Sequence, residues 1–244
     1  MYYDCKFINC YCIVEIDEGH WLLDTSRPKS ISIDRNELVI EIKDSSKRFR
    51  VDSTNENELY KLYEINNFEF NGIIGADILS QTSFTIFRDY RDQHIAKIIF
   101  NSDNIDERAS KVDVKMRKHN AKYVISGELV IDEKKVKVFF NTGFNKSFIN
   151  LELVKSIYST RESTYIDKEG NSIPYKFYIR SVKYGEHYEK GAYWATDDPN
   201  SDPYKIMSET KCDAIIGLFN YDFDAPIFEE YISFDYKNKK IYIK

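Results

Sequence analysis

Any chemistry in this chain would turn on Asp24 and Asn141, because each opens the same short phrase. The first is Trp21-Leu22-Leu23-Asp24-Thr25-Ser26-Arg27-Pro28-Lys29-Ser30-Ile31; the second is Val138-Phe139-Phe140-Asn141-Thr142-Gly143-Phe144-Asn145-Lys146-Ser147-Phe148-Ile149. Each is answered downstream by an apolar pair closed with glycine, Gly72-Ile73-Ile74-Gly75 and Ala214-Ile215-Ile216-Gly217. A loop that leaves a strand through Asp-Thr and a small residue presents a carboxylate beyond the sheet, and the small residue lets backbone amides turn toward it. Two carboxylates at one centre could divide the work of hydrolysis. Close like charges do not both ionise, so one would hold a proton and polarise a carbonyl while the other took a proton from water. Here the pair is a carboxylate and an amide. Asn141 donates and accepts hydrogen bonds but does not titrate, so the shape of such a site is kept without its acid-base pair.

The elements that must carry these loops repeat as well, and an internal repeat of this scale means two similar lobes. Ile13–Ile16 and His20–Leu23 flank the turn Asp17-Glu18-Gly19, and Tyr123–Ile131 and Lys135–Phe140 flank Asp132-Glu133-Lys134, so an alternating hairpin leads into each loop. Leu38–Ile42 with Lys47–Val51, and Phe84–Phe87 with Ile95–Phe100, read as further strand pairs, and Tyr231–Asp235 with Lys240–Ile243 ends the chain. Helix is scarce. Asn150 to Ile157 has the cap and spacing of a short one, and Asp77-Ile78-Leu79 and Leu218-Phe219-Asn220 read as first turns of two more. The polar stretch 101–122 reads as a connection with strand character near Val112 to Met116, giving an N-terminal lobe over 1–100 and a C-terminal lobe over 123–244. Motif and glycine are 51 positions apart in the first half and 76 in the second, so the second lobe carries the larger insertions.

Composition bounds the function. The 244 residues carry a formal charge of -5, with 42% hydrophobic and 31% charged residues, which suits a soluble globular protein and gives no reason to expect nucleic acid. Nineteen Tyr and sixteen Phe against nine Gly and five Pro favour strands with aromatic packing. No apolar run is long enough to span a bilayer, and Met1 to Phe7 lacks the basic and apolar regions of a secretory signal. Cys10-Tyr11-Cys12 alternates as a strand would, placing both thiols on one face, and Cys5, Cys10, Cys12 and Cys212 read as reduced thiols. Their spacing and the isolated histidines give no metal site. The expectation is a cytoplasmic monomer without cofactor or metal and without a membrane partner.

The two Asp/Asn-Thr loops with their Ile-Ile-Gly strands resemble the signatures of aspartic proteases. Ser30 and Ser147, six residues past Asp24 and Asn141, make the likeness closest to the retropepsin-like branch. The resemblance runs from about Tyr11 to the C-terminus. It implies an all-β fold of two similar β-barrel-like lobes related by a pseudo-twofold axis, with little helix. It also implies an aspartic-type endopeptidase, a hydrolase acting on an extended peptide or protein substrate, with Asp24 and Asn141 in the catalytic positions. Thr25, Ser26, Thr142 and Gly143 would support the loops, and Ile74, Gly75, Ile216 and Gly217 would pack beneath them. A covering flap would fall at Lys168, Glu169, Gly170 and Asn171, with Lys43 to Lys47 as a shorter counterpart. Asn141 leaves two readings. The chain is an inactive Asp-to-Asn form of an active parent, or a natural non-catalytic peptide binder on the same fold. A third class, an interaction module using the aromatic insertion from Lys183 to Lys211, also stands.

Overall fold

Alternating side chains draw the strands, and glycine-closed apolar triplets tie them into two matching units. Tyr11–Ile16 and Gly19–Leu23 pair in register Ile13 with Leu22 around Asp17 and Glu18, both at positive φ. Lys122–Ile131 and Lys134–Phe140 do the same around Asp132 and Glu133. Each second strand then takes a parallel neighbour from far along the chain: Leu23 lies beside Ile74 of Gly72–Ile74, and Phe140 beside Ile216 of Ala214–Ile216. The strand after each loop closes on the other edge, Ile31 against Ile73 and Phe148 against Ile215. The molecule is therefore all-β, with two similar barrel-like lobes related by a pseudo-twofold axis and little helix. This computed structural model describes residues 1–42, 45–56, 59, 68–101, 105–120, 122–154, 157–166, 172–220 and 222–244.

The lobes share a sheet. Phe84–Arg88 pairs with Tyr231–Asp235, that strand with Lys240–Ile243, and Lys240–Ile243 in turn with the start of Ser110–His119. Stretch 101–122 thus contains a ten-residue strand, longer than the five residues its sequence suggests. Phe84 stacks on Phe234 with centroids 4.8 Å apart, and one apolar core runs from Val14, Leu23 and Ile98 through Ile125, Phe140 and Ile216 to Ile241. Burying such side chains supplies about 1.5–3 kcal/mol each, so the lobes are held by common packing as well as by strand pairing.

Two local expectations change, and two other segments take definite form. Cys10 sits in the turn at φ 69, not in the strand, so Cys10 and Cys12 do not alternate along one strand face. Leu218 to Asn220 starts no helix: Phe219–Asn220 pairs with Ala225–Pro226 as a short hairpin, whereas the first half follows Gly75 with the helix Ala76–Thr82. Insertion 183–211 contains the strand His187–Ala195 and a helix, Asp202–Thr210, whose N-cap Ser201 hydroxyl accepts from the Tyr204 amide. Both its termini are marked, by Pro203 at the start and by Lys211 in the left-handed region at the end. The helix from Asn150 forms as Leu151–Val154, with the Asn150 side chain accepting from the Glu152 amide at 3.0 Å.

Asp106 fastens the end of the shared sheet. Its carboxylate takes the guanidinium of Arg108 at 2.9 Å and the ammonium of Lys244 at 2.8 Å, and its amide donates to the Tyr231 hydroxyl. Arg108 first, and then Lys244, hold the Asp106 carboxyl well below the usual carboxylate range. A depressed carboxyl contributes stability that is full above the unfolded pKa and is lost as pH falls through the folded one. Asp106→Asn should accordingly flatten the fall in stability below about pH 4, read as urea midpoints across an acid series, while removing that contribution at pH 7.

Candidate functional site

The two loops meet through their threonines. The Thr25 amide donates to Thr142 Oγ1 at 3.0 Å, the Thr142 amide donates to Thr25 Oγ1 at 3.1 Å, and Thr142 Oγ1 donates on to the Leu23 carbonyl at 2.7 Å. Both threonines are fully buried, so these amides have no water to fall back on. Each loop is also held from below in the same way. Asp24 and Asn141 amides donate to the Ile74 and Ile216 carbonyls at 3.0 and 2.9 Å, and the Gly75 and Gly217 amides donate to the Ser30 and Ser147 hydroxyls at 2.9 and 3.1 Å. A methyl on Gly75 would lie 2.7 Å from the Arg27 carbonyl oxygen, and one on Gly217 2.7 Å from that of Phe144. The loop backbone passes too close for any side chain there.

The centre itself is asymmetric. Asp24 is 6% exposed and Asn141 2%. One Asp24 oxygen accepts from the Ser26 amide at 2.8 Å, the Ser26 hydroxyl at 2.7 Å and the Arg27 amide at 3.2 Å. Asn141 Oδ1 accepts from the Gly143 amide at 2.9 Å, the counterpart of the first of these bonds. Gly143 lies against the opposite carboxylate, since a methyl on it would sit 2.5 and 2.6 Å from the two Asp24 oxygens. Ser26 at the matching place in the first loop carries a side chain and spends its hydroxyl on Asp24. Near this centre the Tyr236 hydroxyl is buried with no hydrogen-bond partner; burial pushes its pKa well up, and Tyr123 and Asp24 add to the effect.

Beyond the loops the halves diverge. In the first, Ser30 donates amide and hydroxyl to Asp77 at 2.9 and 2.6 Å, so the helix after Gly75 braces the loop. In the second, hairpin 219–226 stands in that helix's place. Its Asp222 accepts from Trp194 Nε1 at 3.0 Å and pairs with Arg161, while Asp224 reaches the first half at Gln93 (3.1 Å) and His94 (3.3 Å). Lys146 stands 5.3 Å over the Trp194 ring, and Arg161 5.0 Å over both Trp194 and Phe177. Burial pushes the Cys10 thiol up to about 12, with Asp224 adding and Lys146 opposing. All four cysteines are free thiols. Asp77, Asp222, Trp194 and Arg161 were not singled out from sequence as site neighbours. Only Asp77 had a local signal, an acid two residues past a glycine that the serine spacing already marked.

The second half's hairpin Arg161–Ile166 and Ser172–Tyr184 rises beside this region, and its proposed tip, Lys168 to Asn171, lies outside the described residues. The shorter counterpart is the turn between Glu37–Ile42 and Ser45–Arg50; Lys43 and Asp44 also lie outside the described residues. That hairpin is pinned down, with Leu38 and Ile40 fully buried in the common core and the Glu41 amide donating to the Tyr3 hydroxyl at 2.6 Å. Among the described residues no group of His, Cys, Asp and Glu could hold a metal ion, and no helix is long and apolar enough to cross a membrane.

Paired loops, crossing Ile-Ile-Gly strands and a shared sheet define the aspartic protease-like fold. Solved structures with this architecture include basic 7S globulin from soybean, which matches with a TM-score of 0.52 at 7% identity over 100% of this chain and 96% of that one. A second, edgp, matches with a TM-score of 0.53 at 8% identity over 99% and 94%. No protein-family model matches the chain, and no curated protein matches its sequence. These likenesses carry the fold alone. They also correct the resemblance drawn from the motifs: the chain is not placed among retropepsin-like or pepsin-like catalytic proteases with a substituted second aspartate. No family model fits it, and two of the structures it matches, the globulin and edgp, are not named as peptidases.

Two predictions follow from the loop geometry. Thr25→Val and Thr142→Val should each cost about 1–3 kcal/mol by stranding a buried amide, with the double variant departing from their sum by at least about 0.5 kcal/mol; Thr→Ser at either position should retain most of the stability. Urea denaturation of the full cycle measures this. Gly143→Ala should destabilise by about 1–3 kcal/mol because the Asp24 carboxylate must yield, and additive behaviour with Asp24→Ala would show that the contact is not the cause.

Proposed function

We propose that this chain is a non-catalytic binding protein for an extended peptide or protein segment, using the surface where its two loops meet. The observation that carries the reading is the amide at position 141 inside an otherwise complete pair of loops. The reciprocal threonine bonds, both serine-to-glycine bonds and the close approach of Gly143 to Asp24 are all present. What is missing is a second group able to titrate. Hydrolysis between paired carboxylates requires one to be protonated and the other ionised, and Asn141 supplies neither state. Binding needs only the shape.

The surroundings suit an extended partner. Strand Arg161–Ile166 pairs with Ser172–Tyr184 on one side and, among the described residues, with nothing on the other. Residues 161 to 165 are exposed, and a partner strand can add to such an edge through main-chain hydrogen bonds. Asp24, with one oxygen already accepting three bonds from its own loop, acts in this reading as part of the loop's framework.

Incubation with a mixed peptide library from about pH 3 to pH 8 should yield no cleavage, either by the chain or by its Asn141→Asp variant. The same library should contain peptides that bind saturably and shift the emission of Trp194, which lies at the second loop. Turnover by Asn141→Asp would establish a lapsed or trapped peptidase instead.

A further inference from the structure

The two loops carry their charges at matching places. Lys29 stands five residues past Asp24 and Lys146 five past Asn141, so the two lysines hold matching places in the paired loops, with the Lys146 ammonium over the Trp194 ring. Their backbones lie against the glycines that close each unit, Lys29 against Gly75 and Lys146 against Gly217. Arg27 adds a third cation in the first loop, and its Nε is buried with no hydrogen-bond partner. Among the described residues neither Arg27 nor Lys29 has an ion-pair partner, although the chain as a whole carries a charge of -5. The nearby acids are committed elsewhere. Asp24 gives one oxygen to three donors of its own loop, Asp222 holds Arg161 and Trp194 Nε1, and Asp224 holds Gln93 and His94. A buried donor without an acceptor is costly, and an anionic acceptor relieves that cost most strongly.

We infer that the segment bound across the loops is acidic, an extended peptide whose alternate side chains are Asp or Glu and reach Lys29, Arg27 and Lys146. The inference rests on the binding reading above and names the chemistry of its partner. An extended strand turns every second side chain to the same face, so carboxylates at alternate positions can meet the lysines of both loops while the main chain crosses over Asp24 and Asn141. Asp24 sets a limit on this face. Its charge opposes an acid directly above it, so the carboxylates fall to either side of it. Basic loops on a net-acidic chain also make the preference local: an acidic peptide is drawn to this surface and repelled by the remainder.

The test uses three peptides of about ten residues, capped at both ends and identical except that their alternate positions are Glu, Gln or Lys. Anisotropy titrations against the full chain should show the Glu peptide binding about tenfold more tightly than the Gln peptide, with the Lys peptide weakest. The advantage should shrink as salt is raised from about 0.05 to 0.5 M. Lys29→Glu, an exposed change that leaves the fold alone, and Arg27→Met should each reduce it, and Lys29→Glu with Lys146→Glu should reverse it in favour of the Lys peptide. Equal binding of the Glu and Gln peptides would overturn the acidic preference and leave the binding reading standing. Failure of all three, and of the mixed library, to bind would overturn both.

Discussion

Reciprocal hydrogen bonds between Thr25 and Thr142 are the constraint on which this molecule is organised. Each bond joins residues 117 apart in sequence, and each satisfies a buried backbone amide that has no other acceptor within reach. Because a threonine hydroxyl both accepts and donates, Thr142 passes the connection on to the Leu23 carbonyl and so to the strand that begins the first loop. The loops cannot separate without exposing a buried polar pair, and they cannot approach further because Gly143 already rests on Asp24. Everything around the centre is fitted to that fixed spacing.

Within this frame the halves have different partners. The first loop is braced by a helix through Asp77, and its hairpin is packed into the core through Leu38 and Ile40. The second loop has a hairpin where that helix would be, and the aspartates of that hairpin hold Arg161 and Trp194 on one side and Gln93 and His94 on the other. One half is therefore fastened down while the other presents an edge strand, aromatic rings and cations. An amide in place of the second carboxylate is compatible with that division, because the centre's bonds hold the loops in place without it.

Features set by neighbouring residues were legible in the sequence. The loops, the Ile-Ile-Gly strands and the two serines are local patterns, and a pattern that occurs twice in the same order identifies itself. Asn150 as a helix cap is readable for the same reason, and Ser201-Asp202-Pro203 is a helix start of the same local kind. What lay beyond reading depends on distant partners. Phe219–Asn220 becomes strand because Phe219 meets Pro226 and because Asp222 and Asp224 find Trp194 and His94, none of which shows as periodicity. Cys10 leaves the strand because Asn9 and Cys10 turn the chain at positive φ. The motif carries the fold, since loops of this form hold two lobes together whether or not they hydrolyse anything.

Sharing a sheet between the two ends of the chain has a consequence during synthesis. Phe84–Arg88 finds its neighbour in Tyr231–Asp235, and Ser110 to Asp113 find theirs in Lys240–Ile243. A nascent chain paused after its first hundred residues can pair Phe84–Arg88 with Ile95–Phe100 on one edge, while the other edge has no partner yet. Such non-local pairing slows folding and leaves strand edges open to other chains. The outer edge of Phe84–Arg88 therefore stays open until Tyr231–Asp235, more than 140 residues later, has left the ribosome.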